Sequence, residues 1–157
     1  MSHMSNRASS SFVVALRADT VAERTDRVRE ADSANEPSAV IARIREGMPM
    51  AELDALAAWL ELPDDQLAPL LGISRATLHR RRKSGHLESP ESERIVRFAR
   101  LMARAVEVLG DEPAAREWLR TPAVAFRGES PLSFADTEVG AREVEYLLGR
   151  LEHGVFS

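Results

Sequence analysis

Arg75 and Arg80 belong to one basic peptide, RATLHRRRK, running from Arg75 to Lys83. An arginine guanidinium can donate two parallel hydrogen bonds to O6 and N7 of guanine, so on a helix this peptide suits base reading in a DNA major groove. Arg75, Ala76, His79 and Arg80 fall on the outward, N-terminal face and are assigned to base edges. Ser74 and Thr77 stand at the helix start, where hydroxyls and the positive end of the dipole favour phosphate oxygens. Arg81, Arg82 and Lys83 are read as anchors on the phosphate backbone. The competing reading is a basic run that the helix C-terminus favours and water solvates.

The preceding segment, DDQLAPLLGIS, must position that peptide. Pro63 opens a short helix through Leu67, Leu70 and Leu71, Gly72 supplies a left-handed or tight turn, and Ser74 caps the next helix. Two helices joined by so short a glycine-containing turn form a helix-turn-helix, with the second as recognition helix. Leu67, Leu71, Ile73 and Leu78 then close the crossing.

Charge is segregated along the chain. The 157 residues carry 21 Lys and Arg against 25 Asp and Glu, a net of -4, which argues against a general nucleic-acid coat. Residues 1–71 hold 7 basic and 12 acidic side chains, residues 72–104 hold 9 and 3, and residues 105–157 hold 5 and 10. A basic stretch between acidic flanks steers one face to DNA and suppresses non-specific binding elsewhere. Arg97, Arg100 and Arg104 alternatively form a solvated helical stripe with Glu93 and Glu107.

At 44% hydrophobic residues the chain can bury one core, or two small ones that share a helix. It has no cysteine, which excludes disulfides, thiol nucleophiles and thiolate metal sites and fits a reducing cytoplasm. No apolar run approaches the roughly 18 to 20 residues of a membrane span. The opening MSHM reads as a cloning scar, which leaves His3 without functional weight, and no signal peptide is expected. His79, His86 and His153 have no partner at metal-ligand spacing, no phosphate-cradling glycine loop occurs, and Asp64 and Asp65 sit where a helix dipole favours acids. The expectation is therefore a non-enzyme, with no catalytic residue, metal or cofactor.

Residues 1–36 are expected to form a flexible arm with transient helix at most, because few large apolar residues occur apart from Phe12, Val13, Val14 and Leu16. Helices are predicted from about Ser38 to Gly47 and from Met50 through Leu60, with Trp59 as a packing anchor. A long helix follows, with Ser89 as cap, Pro90 in the first turn and Gly110 as stop. Ile95, Phe98, Met102, Ala105 and Leu109 form its buried stripe. This sets a helix-turn-helix domain at 37–109 and a C-terminal domain at 110–157. In the latter, Asp111 caps EPAAREWLR, a loop AVAFRGESPLSFAD follows, and Thr137 caps the last helix, with Val144, Leu147, Leu148, Leu151 and Val155 as its stripe. Tyr146, Arg150 and His153 form an adjacent row, either a solvated edge or a partner surface. Gly149, costly inside a helix, points to close approach by another backbone.

The segments ISRATLHRRRKSGHLESPESERIVRFARLMARAVEVLG and AREWLRTPAVAFRGESPLSFADTEVGAREVEYLLGRLEHGVF closely resemble the Xre-type antitoxins of RES-Xre toxin-antitoxin pairs. The carrying motifs are ESxR before the long helix, WLxxPxxAFxGxxPL, and DTxxGxxxVxxLLxRxExGVF, and the likeness covers about residues 50–157. It implies an all-α homodimer whose helix-turn-helix binds its own promoter and whose C-terminal region neutralises a RES-domain toxin that consumes NAD+. It places DNA contact on Arg75 to Lys83 and toxin contact on the last helix and tail: Tyr146, Arg150, Glu152, His153, Gly154, Val155, Phe156 and Ser157. An isologous dimer would space two recognition helices about 34 to 36 Å apart and match an inverted-repeat operator. The tail itself, apolar at Val155 and Phe156 and ending in a carboxylate, suits a cleft lined with cations; the other reading is a frayed terminus. A free-standing helix-turn-helix regulator without a toxin is the alternative function, and an inhibitor whose helix-turn-helix merely packs is a third.

Overall fold

A 21-residue helix, α6 (Ser89–Leu109), is the axis on which the other elements pack in this computed structural model, which describes residues 11–22 and 36–154. The order along the chain is α1 (Phe12–Ala22), α2 (Pro37–Glu46), α3 (Met50–Leu60), α4 (Asp64–Leu71), α5 (Arg75–Ser84), α6, α7 (Glu112–Arg120), a 3-10 turn (Val124–Phe126), α8 (Pro131–Phe134) and α9 (Glu138–Glu152). The fold is all-α, with no β-strand among the described residues. α6 touches α1, α2, α3, α4, α7 and α9. Its composition explains this central place. Ile95, Phe98, Met102 and Ala105 of the expected stripe are buried and Leu109 is half-buried, but Val96, Ala99, Leu101, Ala103 and Val106 are buried too. A helix apolar around so much of its circumference has to be surrounded.

The start of α6 differs from the sequence reading by one residue. Glu88, with extended backbone, is the cap, and its N–H donates to Glu91 Oε2 at 3.0 Å. Ser89 is already helical, because Pro90 fits either of the first two helical positions.

The described part of the expected arm is a docked helix. α1 packs against α6 and α3, with Phe12 and Val13 buried. Its first turn is held by Glu52, 1% exposed, whose Oε2 accepts the Val13 N–H at 3.1 Å. Farther along, Arg17 donates from Nε and Nη2 to the Glu112 carboxylate at 2.8 and 3.0 Å. Long-range docking has overridden a composition that reads as disorder. The remainder of that arm, 1–10 and 23–35, lies outside the described residues.

α2 and α3 match their predicted spans, and Trp59 is completely buried. The expected loop at 123–136 contains the 3-10 turn and α8, pinned by Phe126 against Phe134 with ring centroids 4.9 Å apart. Asp111 and Thr137 cap α7 and α9 as expected, accepting the N–H groups of Ala114 (2.7 Å) and Gly140 (3.0 Å). Gly140 is required by closeness: a Cβ there would lie 1.9 Å from the Phe134 carbonyl oxygen. One continuous apolar cluster runs from Phe12 through Leu148, so the two halves share a core along α6.

Candidate nucleic-acid interface and C-terminal partner surface

α4 and α5 build the helix-turn-helix as the sequence requires. Gly72 ends α4 in the left-handed region (φ 70°), and Leu67, Leu71 and Leu78 are buried with Ile73 packed against them. Ser74 caps α5, its Oγ accepting the Thr77 N–H and donating to Thr77 Oγ1, both at 3.1 Å. That cap occupies the Ser74 hydroxyl. The N–H groups of Arg75 and Ala76, which have no intrahelical acceptor, are the open donors at this helix end.

Arg75, Ala76, His79 and Arg80 are all exposed on one side of α5. Arg80 Nη2 donates to Thr77 Oγ1 at 3.1 Å, a contact within the helix that leaves its other donors facing solvent. Lys83 is exposed and has no ion-pair partner among the described residues. Arg81 and Arg82 are placed differently from the phosphate-anchor reading. Arg81 Nε donates to Glu91 Oε1 at 2.9 Å and Nη2 lies 3.3 Å from Glu88 Oε2. Arg82 binds Asp64 through Nε (3.0 Å) and Nη2 (2.6 Å) and Asp54 through Nη1 (2.9 Å). Donation to Asp64 and then to Asp54 pushes the Arg82 pKa up, and donation to Glu91 does the same for Arg81. Both guanidinium groups are spent on carboxylates of α3, α4 and the start of α6, so they brace the recognition helix against its scaffold.

The ESxR motif provides much of that scaffold. Glu91 is 3% exposed and serves Arg81 with one oxygen and the Glu88 N–H with the other. Ser92, fully buried, donates to the Glu88 carbonyl and accepts the Met48 N–H, both at 2.8 Å. Arg94 Nη1 donates to the Leu71 carbonyl at 2.6 Å, closing the C-terminus of α4 beside Gly72. A Cβ at Gly72 would sit 2.4 Å from that same Nη1, so the glycine answers both the backbone angle and the arginine. Three successive ties thus fix α5, the α2–α3 turn and α4 to one helix end.

At the other end of the molecule, α9 lies along α6 with Val144 and Leu148 buried and Leu147 and Leu151 half-buried. Tyr146 (67% exposed), Arg150 and His153 form the outer row, with Arg150 Cζ 6.0 Å from the Tyr146 ring centroid. Gly149 has open space where a Cβ would be, so among the described residues no backbone approaches it there. Glu152, assigned to partner contact, is engaged within the chain: Arg104 on α6 donates from Nη1 to Oε2 at 2.7 Å and from Nη2 to Oε1 at 3.3 Å. That hydrogen bond holds the Glu152 carboxyl below the usual range. Arg97 is likewise no solvated stripe residue, since it binds Glu93 at 2.9 Å and the Asp136 carbonyl at 2.8 Å. Gly154 has a left-handed backbone (φ 63°), while Val155, Phe156 and Ser157 lie outside the described residues.

Sequence reasoning missed Glu52, Arg116 and Arg120. Glu52 is placed in register with Leu56 and Trp59 on an apolar face, the pattern of a buried acid awaiting a partner. Arg116 donates to the Trp59 carbonyl at 3.0 Å, and Arg120 donates to the Leu60 and Glu61 carbonyls, so α7 closes the end of α3. Their i, i+4 spacing was a usable signal; their targets, some 60 residues away, were not. Among the described residues no group of His, Asp or Glu could hold a metal ion, and no helix is long and apolar enough to cross a membrane.

Comparison with known proteins matches two successive stretches of the chain to family models. Residues 39–100 match the Antitoxin Xre-like helix-turn-helix domain, and residues 104–154 match the Antitoxin Xre/MbcA/ParS C-terminal toxin-binding domain. A protein named Antitoxin Xre from Yersinia enterocolitica is 39% identical over 126 residues, covering 79% of this chain and 85% of that protein. Antitoxin Xre of Photorhabdus laumondii is 35% identical over 116 residues, or 73% and 78% of the two chains. Antitoxin Xre of Pseudomonas putida is 32% identical over 90 residues, 57% of this chain and 54% of that one. The two domain matches meet inside α6, the helix that braces α5 at one end and α9 at the other, and with relatives aligned across both halves the chain belongs to the Xre antitoxin family.

Proposed function

We propose that this chain is the antitoxin of a type II toxin-antitoxin pair, that it binds and inhibits a RES-domain toxin consuming NAD+, and that it represses its own operon. The observation that carries this reading is the joining, on one helix, of a recognition helix with an open reading face and a domain matched to toxin binding. Arg75, Ala76, His79 and Arg80 are the base-reading set, and Lys83 with the N-terminus of α5 takes phosphate. Tyr146, Arg150, His153 and Gly154 begin the toxin-facing set, which continues into Val155, Phe156 and Ser157. The working unit is a cytoplasmic homodimer, and its two recognition helices address an inverted repeat with half-sites about 34 to 36 Å apart.

The test is co-purification with the product of the neighbouring gene, followed by NAD+ consumption with and without this chain. A stable complex in which NAD+ loss is suppressed supports the reading. Absence of a complex, with salt-dependent binding to the upstream DNA intact, assigns the chain to free-standing regulation instead.

A further inference from the structure

Glu152 is the last residue of α9, where the negative end of the helix dipole disfavours an acid. Nothing in local helix chemistry calls for a carboxylate there; a partner does. Arg104, in the last third of α6, supplies it with a two-point fork at 2.7 and 3.3 Å, and the same guanidinium reaches Glu107 at 3.2 Å. Both side chains are about one-third exposed, and a pair so open to water contributes little to global stability. Its geometric effect is larger. Beyond Leu148 the end of α9 is held by the half-buried Leu151, by the fork, and by the weak cap bonds from His153 N–H to Gly149 O (3.2 Å) and from Gly154 N–H to Leu151 O (3.3 Å). Among the described residues nothing lies within 4 Å of where a Cβ would be at Gly149 or Gly154, and the outer row adds the Arg150 contact with the Tyr146 ring and the approach of His153 Nε2 to Glu152 Oε1 at 3.9 Å.

We infer that Arg104 and Glu152 form a clamp that sets the direction in which the chain leaves α9, making both of them positioning residues for toxin binding. Glu152 then acts through Arg104 and does not touch the toxin. The inference rests on the proposed toxin-binding role of the C-terminal end. It also assigns α6 a second duty, since the helix that braces α5 through Glu91 aims the opposite end of the molecule through Arg104.

A charge swap separates a clamp from a contact. Arg104→Glu, Glu152→Arg and the double variant are compared in two measurements on the full chain: affinity for the product of the neighbouring gene, and hydrogen exchange of the amides from Gly149 to Gly154 without partner. Each single variant is expected to weaken affinity at least about threefold and speed exchange, and the double variant to restore both. Direct toxin contact by Glu152 predicts otherwise: Glu152→Arg weakens binding, Arg104→Glu does not, and the double variant stays weak; that result overturns the clamp. Unchanged exchange in Arg104→Glu overturns it as well, whatever the toxin does. If the unaltered chain forms no complex, the toxin-binding reading falls and takes the positioning role with it, which the exchange data distinguish from failure of the clamp itself.

Discussion

Arg81 Nε on the recognition helix and Glu91 Oε1 on α6 are 2.9 Å apart, with the glutamate almost completely buried. The pair turns a residue that resembles a phosphate anchor into a strut. Arg81→Ala should therefore lower the melting temperature while leaving the slope of log K against log salt for operator binding unchanged. A lost phosphate contact would instead reduce that slope by about 0.9. Titrating salt with both proteins distinguishes the two. Glu91→Ala, which strips a buried acceptor from the Glu88 N–H, is expected to destabilise by roughly 1–3 kcal/mol in urea unfolding.

Arg75 and Arg80 make the opposite prediction. Both are exposed, and among the described residues Arg80 donates to the Thr77 hydroxyl alone. Replacing either with alanine should leave unfolding unchanged and weaken specific operator binding by about 1–3 kcal/mol, with toxin inhibition intact. Operator affinity that survives both changes would mean that α5 does not read the bases.

The glycines of α9 differ in what they do. Gly140→Ala drives a methyl into the Phe134 carbonyl and should disrupt the α8–α9 junction, visible as loss of soluble, cooperatively unfolding protein. Gly149→Ala meets open space and should stabilise the isolated chain by about 0.5–1 kcal/mol. If the same change also weakens the complex with the toxin, the glycine serves a partner's approach; unchanged complex affinity would remove Gly149 from the interface.

The anchor of α1 should be acid-sensitive. Burial by itself would raise the Glu112 pKa, but the Arg17 hydrogen bonds and charge outweigh it and hold the carboxyl below its ordinary 4.5. A depressed folded-state pKa contributes stability that is complete above the unfolded value and is lost as pH falls through the folded one. The Arg17–Glu112 pair should thus be intact at neutral pH and weaken progressively below about 4.5. Arg17→Ala removes the main opposition to burial and leaves the smaller lowering effects of Trp59 and Arg116, so the loss should begin at higher pH. Unfolding monitored from pH 7 to 3 in both proteins checks the direction of that shift.

The helix-turn-helix was legible from the sequence because its signals are local. Pro63, Gly72 and Ser74 punctuate the two helices within a dozen residues, and the leucines between them have only one face to bury. Asp111, Thr137 and Gly110 marked the C-terminal helices for the same reason. The misplaced features share a different property. The docking of α1 depends on Glu52, thirty-nine residues from Val13, and on Glu112, ninety-five from Arg17. Composition cannot register such partners, so the segment looked like an arm. Arg81, Arg82 and Glu152 looked free for ligands because a charge in sequence carries no label for which opposite charge will face it.

By itself, then, the sequence determined the spans of α2 to α7 and α9, with the start of α6 one residue off, the apolar stripe of α9, and the family to which the motifs belong, while α1 and α8 were read as arm and loop. These follow from backbone geometry and side-chain periodicity within a few residues. Only the tertiary structure decided which charged groups remain available to DNA or toxin and which are consumed inside the molecule. An arginine is committed when folding brings a carboxylate within about 3 Å of it, and that distance is set by how the helices pack on one another.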